Sequence, residues 1–382
     1  MLNFKVIGAG AAGNKAAIKL ITSGFNSKDV IMVNSTMKDI GDEYKDNSII
    51  FGTSSGFLGG CGKERSLGKK LILADMKAGT VNFDNIIDPD TNAVIITTST
   101  EGGSGSAVAP ILAKYFKEVV GIPVIVVLFF GFNSDVRGMQ NSIEILQELS
   151  DEYTIIGICN DKFKNDSTNK IKAEMAANEK FVKIVKTLSG TDIKSSSQNI
   201  DDTDLLKIVT TPGYMMIEDV SIGKYKNMDQ IGKAINTAID ESKLMDCNEI
   251  GAKRIGVIYK IQNSISEFMD FNANELIDRY GTPYEMFTHI QEDESNTIEW
   301  IVSGLPMPID EVKEIFENYK KSSSTVNKKK DDFFDSVSEL KGNREDDMFN
   351  MFNSTNKKQS KSSFFSDFEE DDVDNKSFKK EY

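Results

Sequence analysis

The sequence is poor in the residues that build disulfide frameworks, zinc sites and histidine-based catalytic centres. Its three cysteines, Cys61, Cys159 and Cys247, lie far apart without a CxxC pair, and His289 is its single histidine. This pattern indicates neither a disulfide framework nor a zinc site, so free thiols are expected. A histidine without partners nearby in the sequence disfavours a catalytic triad, and we expect His289 on a helix or at the surface.

Long apolar runs and an excess of positive charge are also missing. No run is long enough to span a bilayer, and the first residues enter a strand pattern without a signal-peptide layout, which predicts a cytoplasmic protein without direct membrane binding. The formal net charge is −14. The segment from Lys321 to Tyr382 holds 12 Lys and Arg against 14 Asp and Glu, so nearly all of the acidic excess lies in the body. Direct, specific DNA binding by the body is therefore disfavoured.

Short β-branched runs alternate with helical patterns over the first 165 residues. This alternation predicts βαβ units around a parallel sheet, and nearly all-apolar strands are expected when helices cover both faces of the sheet. A long helical pattern follows from Thr168 to Leu188 and stops at Gly190. The clearest predicted strands are FKVIG, DVIMVN, AVIITTS, PVIVVLFF and TIIGIC.

A second region, from about Thr203 to Asp310, favours an α+β domain on a mixed sheet. It contains the predicted strands RIGVIYKI and EWIVSGLP and helices near 229–244, 264–280 and 309–320. After Lys320 the composition is typical of a disordered tail. The predicted fold is thus α/β: a parallel-sheet domain, a long central helix, a smaller α+β domain with a mixed sheet, and a tail. The predicted bounds are 1–167, 168–204, 205–320 and 321–382.

A glycine-rich turn follows the first predicted strand. Gly8-Ala9-Gly10-Ala11-Ala12-Gly13 lies before a helix, where main-chain N–H groups and the helix N-terminus can hold phosphate. This spacing is also typical of dinucleotide-binding proteins, which place an acidic residue at the end of the second strand. The second strand here runs into Asn34-Ser35-Thr36, which disfavours NAD and FAD.

A second glycine-rich loop, Glu101-Gly102-Gly103-Ser104-Gly105-Ser106, follows the strand AVIITTST and precedes another helical pattern. It offers another group of N–H donors at a helix start, and two anion sites suit a triphosphate. A third stretch, from Gly52 to Gly68, has two interpretations. It closes over the γ-phosphate, or it is a flexible surface loop.

Two asparagines are candidates for reading the base. Asn160 follows the fifth strand, and Asn178 lies on the long helix. Asn178 interrupts an apolar stripe formed by Ile171, Met175, Val182 and Val185. An Asn side chain offers both a donor and an acceptor to a guanine edge, whereas the alternative for Asn178 is an exposed amide at the edge of the stripe.

The run Asn199-Ile200-Asp201-Asp202-Thr203-Asp204 precedes a helical pattern. Asn or Asp at such a position is ordinarily an N-cap. The alternative is chemical, because Asp201 and Asp204 are three residues apart, so that both carboxylates can project the same way and polarise a water.

Taken in order, these segments resemble the tubulin/FtsZ superfamily from about residue 4 to residue 310. GAGAAGN resembles its first glycine loop, EGGSGSA its GGGTGTG signature and NIDDTD its N-x-D-x-x-D synergy loop, while TPGYMMI and GAKRIGVIYKI fit the segments that follow. The resemblance implies a GTPase that forms a head-to-tail homopolymer, in which the synergy loop of one subunit reaches the γ-phosphate of the next. GTP and GDP are the implied ligands. We expect Mg²⁺ to be held by the triphosphate and water, because no carboxylate cage lies near the glycine loops.

The sequence and this resemblance together identify a set of candidate site residues. The catalytic candidates are Asn199, Asp201 and Asp204. The nucleotide-binding candidates are Gly8, Gly10, Ala11, Ala12, Gly13, Asn14, Asn34, Gly102, Gly103, Ser104, Gly105, Ser106, Asn133, Arg137, Asn160 and Asn178.

The sequence departs from the FtsZ pattern at several positions. Glu101 and Ala107 replace the outer glycines of the signature, Asn133 stands where FtsZ has a glutamate, and the C-terminal docking peptide of FtsZ is missing. These departures and the long mixed-charge tail are more similar to the TubZ branch, whose filaments segregate plasmid and phage DNA in bacteria. That similarity implies a bacterial cytoplasm and a TubR-like adaptor on centromere DNA as the partner of the tail.

The tail also carries Phe beside Asp in DDFFDSV, DMFNMF and SFFSDFEEDD, which is a plausible docking pattern or a coincidence of composition. Three alternatives stay open at this point. They are an FtsZ-like cell-division filament, a Rossmann oxidoreductase that would explain only the first glycine loop, and a structural filament without turnover.

Overall fold

Ten strands form one continuous sheet in the computed structural model, which describes residues 1–132, 135–149, 152–164, 169–194, 199–267 and 269–326. The strands are β1 (Phe4–Ala9), β2 (Val30–Asn34), β3 (Ser48–Ile50), β4 (Ala93–Ser99), β5 (Val124–Phe130), β6 (Thr154–Cys159), β7 (Gly213–Ser221), β8 (Arg254–Ile261), β9 (Glu285–Glu292) and β10 (Thr297–Leu305). The helices are α1 (Gly10–Thr22), α2 (Arg65–Ala78), α3 (Ser104–Lys114), α4 (Val136–Glu148), α5 (Asn160–Lys164), α6 (Lys170–Ser189), α7 (Asp202–Val209), α8 (Met228–Asp240), α9 (Asn263–Ser266), α10 (Asn274–Tyr280) and α11 (Ile309–Val326).

The first six strands are parallel and lie in the order β3-β2-β1-β4-β5-β6. The five strands predicted in this region are all present, and β1 and β5 are buried along their whole length. The strand order changes direction between β1 and β4, where Ala9 pairs with Thr98. From β1 the chain adds β2 and β3 on one side, and then β4, β5 and β6 on the other. Ligands of open parallel sheets bind outside the carboxyl ends of the strands at such a reversal. The two predicted phosphate loops follow these two strands.

The second half of the sheet is mixed, as predicted. β7 is parallel to β6 over two residue pairs, β10 lies antiparallel between β7 and β8, and β8 and β9 are parallel. The α/β class and the mixed sheet of the second region are therefore confirmed. The prediction missed β3, β7 and β9.

The three predicted helices of the second region have different bounds in the structure, and the one near 229–244 is α8, which ends at Asp240. The pattern at 264–280 is two short helices, α9 and α10, and Ala273 before α10 has a φ of +50°, in the left-handed region. A right-handed helix cannot continue through a residue in this region, so the predicted helix is interrupted here. α11 begins at Ile309 as predicted but continues to Val326, and the segment 327–382 lies outside the described residues. The predicted domain bounds stay predictions.

α6 runs from the carboxyl edge of the parallel sheet to its amino edge. The Asn169 side chain caps its start, and Gly190 ends it in a left-handed conformation. The main-chain N–H of Leu2, just before β1, donates to the carbonyl oxygen of Ser189 at 2.9 Å. With 20 residues, the helix is about 30 Å long at 1.5 Å per residue.

The apolar stripe predicted on α6 is wrong at its first two positions, because Ile171 and Met175 are exposed. The face that packs against the sheet is offset from that stripe and consists of Ala173, Ala177, Phe181, Ile184, Val185 and Leu188. Small residues in the first half let the helix approach its neighbours closely, and Ile171 and Met175 consequently point outward.

Candidate nucleotide site

The two glycine loops contact each other main chain to main chain. Gly10 has a φ of +71°, and a β-carbon on it would lie 2.7 Å from the amide nitrogen of Gly105. A β-carbon on Gly105 would lie 2.3 Å from the carbonyl oxygen of Ala9, and one on Gly13 would lie 2.2 Å from that of Thr97. Only glycine fits such close approaches, so the sequence spacing reflects the packing of these loops.

Both loops end in helix N-termini that are free of side-chain caps. α1 begins at Gly10 and α3 at Ser104, and neither first turn holds an acidic residue or a capping hydrogen bond. The first N–H groups of a helix have no partner within the helix, and together with the helix dipole they attract anions. The exposed Ala11 and the half-buried Ala12 belong to the first turn of α1. The geometry fits two neighbouring phosphate positions.

The third glycine-rich stretch lies against the second loop. A β-carbon on Gly103 would lie 2.7 Å from the α-carbon of Lys63 and from the amide nitrogen of Glu64. At the other end of the stretch, the buried Asp75 carboxylate of α2 accepts main-chain hydrogen bonds from Gly52, Thr53 and Ser54. Burial alone would raise the pKa of Asp75, but these bonds and that of the Ser54 hydroxyl lower it. The stretch is thus anchored at both ends. Closure over a γ-phosphate stays a prediction.

Asn141, a residue that the sequence did not single out, joins two of these loops. It is fully buried on α4, and its Nδ2 donates to the carbonyl oxygens of Lys63 at 3.0 Å, Glu101 at 3.0 Å and Gly102 at 3.2 Å. Arg137, predicted to contact the nucleotide, is exposed and donates from Nε to the same Lys63 carbonyl at 3.2 Å. The start of α4 therefore holds the walls of the candidate site.

Asp135 caps α4 and adds an ion pair to this attachment. Its carboxylate accepts from the amide of Gly138 at 2.8 Å and from Lys63 Nζ. Burial would raise the pKa of Asp135, but the bonds from Lys63 and Gly138 and the charge of Lys170 lower it. The Nζ atoms of Lys164 and Lys170 lie 4.1 and 4.7 Å from the centroid of the Phe132 ring. Positive charge therefore gathers at this edge of an acidic protein.

The hydroxyl groups of the second loop have different partners. Ser104 Oγ lies 3.2 Å from Ser35 Oγ, at the start of α3. The buried Ser106 donates to the Gly102 carbonyl and accepts from Arg65 Nε at 3.2 Å. Arg65 is itself buried and pairs with Glu144 and Glu148. The side chain of Ser106 thus fixes the loop, and its predicted role in binding phosphate rests on the main-chain N–H.

The predicted base-reading amides, Asn160 and Asn178, lie on α5 and α6, and Asn14, another nucleotide-binding candidate, lies on α1. Asn14 is fully buried, and neither polar atom of its side chain has a hydrogen-bond partner among the described residues. Asn160 begins α5, and its Oδ1 is likewise buried without a partner there. Asn178 is half-buried on α6, against which α5 packs. Buried amides are normally hydrogen-bonded, so Asn14 and Asn160 fit positions that a ligand completes.

Asn34 and Asn133 are two further nucleotide-binding candidates from the sequence. The side chain of Asn34 is buried and bonded within the protein, with Nδ2 donating to Asp39 at 3.2 Å and Oδ1 accepting from the amide of Ser35 at 3.0 Å. Asn34 therefore shapes the end of β2. Asn133 lies outside the described residues.

The acidic run lies at the opposite edge of the sheet from the glycine loops. Asp201 is the N-cap of α7, where Oδ1 accepts from the amide of Asp204 at 2.8 Å. Asp202 pairs with the N-terminal ammonium of Met1, and the next residue, Leu2, bonds to Ser189 at the end of α6. Asn199 and Asp201 are exposed, and Asp204 is half-buried. The N-cap interpretation thus holds for Asp201. Asp204 contributes only its main-chain amide to this cap, and its carboxylate is not part of it.

His289 is neither on a helix nor at the surface, so that prediction is wrong. It lies on β9 and is fully buried. Burial and the charge of Lys260 lower the pKa of His289, while the hydrogen bonds of the ring raise it, and the net direction is downward. Cys61, Cys159 and Cys247 are thiols that form no disulfide with one another, as predicted.

Neither a metal-binding cluster nor a membrane-spanning helix is present within the described ranges. There, no group of three or more His, Cys, Asp or Glu side chains is arranged to hold a metal ion. No helix of the described part of the chain is long and apolar enough to cross a membrane.

Comparison with known proteins identifies the same fold. Residues 3–168 match the model of the Tubulin/FtsZ family, GTPase domain. A GTPγS-form protofilament of Bacillus thuringiensis serovar israelensis TubZ is similar, with 16% identity, coverage of 85% of this chain and 93% of that chain, and a TM-score of 0.69.

Two other branches are similar to a comparable degree. GDP-bound CetZ1 from Haloferax volcanii has 18% identity, coverage of 84% and 100%, and a TM-score of 0.67. An empty FtsZ dimer of M. jannaschii has 24% identity, coverage of 80% and 88%, and a TM-score of 0.59. Similarity at this level establishes the fold and does not separate the branches.

Proposed function

We propose, from the match of residues 3–168 to the model of the Tubulin/FtsZ family, GTPase domain, that the chain is a polymerising GTPase whose hydrolytic site is completed by a neighbouring subunit. GTP binds at the glycine loops of one subunit. The acidic run of the next subunit supplies the groups that act on water.

The observation that carries this proposal is the separation of the two halves of the site. The glycine loops follow β1 and β4 at the carboxyl edge, whereas Asp201 and Asp204 follow α6 at the amino edge. α6 is about 30 Å long, so one molecule does not bring its own carboxylates to its own nucleotide. A second copy stacked head to tail does so.

The exposed apolar side chains support the same arrangement. Leu58 and Tyr284 are the most exposed large hydrophobic side chains of the described residues, at 87% each. Leu58 lies in the third glycine-rich stretch, near the carboxyl edge, together with the exposed Ile171 and Met175 of α6. Tyr284 hydrogen-bonds through its amide to the carbonyl of Lys253, just before β8, and Ile250 lies three residues earlier. Apolar surface at both ends suits contact between successive copies.

The chain's own groups have distinct parts in hydrolysis. The N–H groups at the starts of α1 and α3 hold the phosphates and stabilise the charge that develops on them. A carboxylate cannot stabilise that negative charge, but it can orient an attacking water, as water-positioning groups do in other GTPases. Asp204 is best placed for this part because Asp201 caps α7. Asn199 and Asp201 complete the loop that is presented to the neighbour.

Magnesium is proposed to arrive with the triphosphate, with its remaining coordination filled by water. The described residues provide no carboxylate cluster for it. Chelation by EDTA is expected to stop turnover, and turnover that is undiminished by EDTA would overturn this part of the proposal.

We propose DNA segregation as the cellular role. An adaptor of the TubR kind, bound to centromere DNA, would engage the tail, whose Phe and Asp clusters dock on the adaptor while Lys328 to Lys330 and Lys379-Lys380 approach the DNA in a salt-dependent way. Support comes from the acidic body, the tail composition and the similarity to TubZ. The alternative is an FtsZ-like division filament, for which the FtsZ similarity counts.

Light scattering and phosphate release on the purified protein test the biochemical proposal. GTP should induce scattering followed by its decay, a non-hydrolysable GTP analogue should induce lasting scattering, and GDP should induce none. Equal assembly with ATP would count against guanine selectivity. A lack of assembly with every nucleotide would overturn the polymerisation proposal.

A further inference from the structure

Two buried polar residues of β9 contact the segment that leads from α6 to the acidic run. Gln291 Oε1 accepts from the amide of Lys194 at 2.8 Å, and its Nε2 donates to the carbonyl oxygen of Asp192 at 3.2 Å. His289 Nδ1 accepts from the amide of Ile200 at 3.4 Å. All three bonds link β9 to main-chain groups that are 89 to 99 residues away in sequence.

The two side chains also fix each other. The ring nitrogen Nε2 of His289 lies 3.1 Å from Gln291 Oε1. Because Nδ1 accepts from Ile200, the neutral ring carries its proton on Nε2 and donates it to Gln291. His289 is fully buried and Gln291 is 4% exposed. β9 therefore contacts Asp192 and Lys194 after α6 and Ile200 directly before Asp201, while residues 195–198 lie outside the described residues.

We propose that His289 and Gln291 are positioning residues that set where Asn199 and Asp201 are presented to the neighbouring subunit. This inference rests on the proposed function, since it assigns these two residues to the hydrolytic half of the composite site. Neither residue touches nucleotide. They act through the main chain at Asp192, Lys194 and Ile200, and a displacement of about 1 Å in a catalytic group lowers a rate by as much as about a hundredfold.

The buried polar side chains of His289 and Gln291 serve to bond the main chain of the loop. An apolar pair on β9 would pack against the loop without fixing its register, because apolar contact is not directional. Hydrogen bonds to three main-chain groups select one arrangement. Lys194 Nζ adds an outer ion pair with Asp293 at 2.8 Å.

The experiment compares variants of His289 that retain different atoms. In His289→Asn, the amide oxygen takes the place of Nδ1 and can accept from Ile200. In His289→Gln, the amide takes the place of Nε2, and the bond to Ile200 is lost. Phosphate release per assembled subunit should stay within about threefold of wild type for His289→Asn and fall about tenfold or more for His289→Gln. The GTP dissociation constant and assembly with a non-hydrolysable GTP analogue should change little in both.

Gln291→Leu extends the test, with Thr288→Val on the other face of the same strand as the matched control. Gln291→Leu should lower hydrolysis per assembled subunit with GTP affinity retained, and Thr288→Val should lower neither. Equal hydrolysis in all four variants, measured on filaments that form normally, would overturn the inference. So would parallel loss of GTP affinity and hydrolysis, because that indicates a general structural defect.

Failure of the proposed function gives a different result. If wild type hydrolyses GTP without assembling, or if Asp204→Ala retains wild-type turnover, the composite site itself is wrong. If wild type and Asp204→Ala behave as proposed while His289→Gln and Gln291→Leu hydrolyse normally, only the positioning role is wrong.

Discussion

The amide of Leu2 donates to the carbonyl oxygen of Ser189 at 2.9 Å, which ties the end of α6 to the amino edge of β1. Everything that follows α6, including the acidic run, therefore starts at the edge of the sheet that faces away from the glycine loops. Hydrolysis at a site shared by two subunits requires this separation of the acidic run from the glycine loops.

Asp204→Ala should bind GTP and assemble but fail to hydrolyse it, because Asp204 is the carboxylate assigned to the attacking water. Its filaments should be long-lived, since GDP no longer accumulates in them. Phosphate release and filament lifetime on the same sample are the measurements. Asp202→Ala is the matched control, because Asp202 is exposed and its ion pair with the N-terminus is at the surface. Normal turnover in Asp204→Ala would sink the assignment.

Asp201→Ala should differ from Asp204→Ala in its effect on stability. Loss of the side-chain bond to the Asp204 amide removes the N-cap of α7 and should lower the free energy of unfolding by about 1 kcal/mol. Asp204→Ala should leave it nearly unchanged. Denaturant unfolding of both variants checks this, and equal losses would mean that the cap is not specific to Asp201.

Asn178→Ala and Asn160→Ala should weaken GTP binding by about 1 to 3 kcal/mol each if these amides hydrogen-bond the base. Binding of ATP, already weaker, should fall less, because adenine presents a different edge. Direct titration with GTP, GDP and ATP is the measurement. An unchanged GTP affinity for Asn178→Ala would return this half-buried side chain to a surface role.

Asn141→Ala should weaken GTP binding although Asn141 is not proposed to contact nucleotide. The substitution leaves the carbonyl oxygens of Lys63, Glu101 and Gly102 without their shared donor, so the second and third loops lose their attachment to α4. We expect a loss of unfolding free energy of about 1 to 3 kcal/mol together with the lower affinity. Gln140→Ala, on the next position of the same helix, should change neither quantity appreciably, and a wild-type affinity in Asn141→Ala would contradict the attachment.

Stability should depend on pH through His289. Its pKa is lowered in the folded protein from 6.5, so the folded state disfavours the charged ring. The contribution of the neutral ring is fully present above about pH 6.5 and is lost as pH falls toward the folded pKa, with a slope of at most about 1.4 kcal/mol per pH unit. Unfolding of wild type and His289→Asn between pH 8 and pH 5 isolates it. Parallel curves for the two proteins would show that His289 does not titrate on unfolding.

The tail should recruit the partner without supporting the fold. Truncation after Val326 keeps α11 whole, whereas truncation at Ser322 removes its last residues. The chain that ends at Val326 should keep its unfolding free energy, GTP binding and assembly and lose adaptor-DNA binding. Retained adaptor-DNA binding would place the partner site on the body, and loss of a membrane-tether protein instead would favour the FtsZ-like alternative.

The sequence predicted those parts of the fold in which local pattern and burial coincide. β1, β4 and β5 are mostly apolar and almost entirely buried, and the glycines at Gly10 and Gly105 are required by close packing, so both features are visible in the residues themselves. β9 was missed because its run EMFTHIQE mixes polar and apolar residues, and most of its side chains are only half-buried.

The contacts that organise the site could not be predicted because they join distant segments. Asn141 bonds Lys63, 78 residues away, and His289 bonds Ile200, 89 residues away. The residues around His289 do not indicate that it is buried. Those around Asn34 do not indicate that its amide donates a hydrogen bond to Asp39. Such roles depend on tertiary packing, which periodicity does not encode.

The most direct test of the composite site is the rate of phosphate release per molecule of protein as a function of protein concentration, with light scattering recorded on the same samples. We expect a rate near zero below the concentration at which scattering begins and a steep rise above it. A rate per molecule that stays constant down to concentrations without scattering would contradict the claim that a neighbouring subunit completes the site.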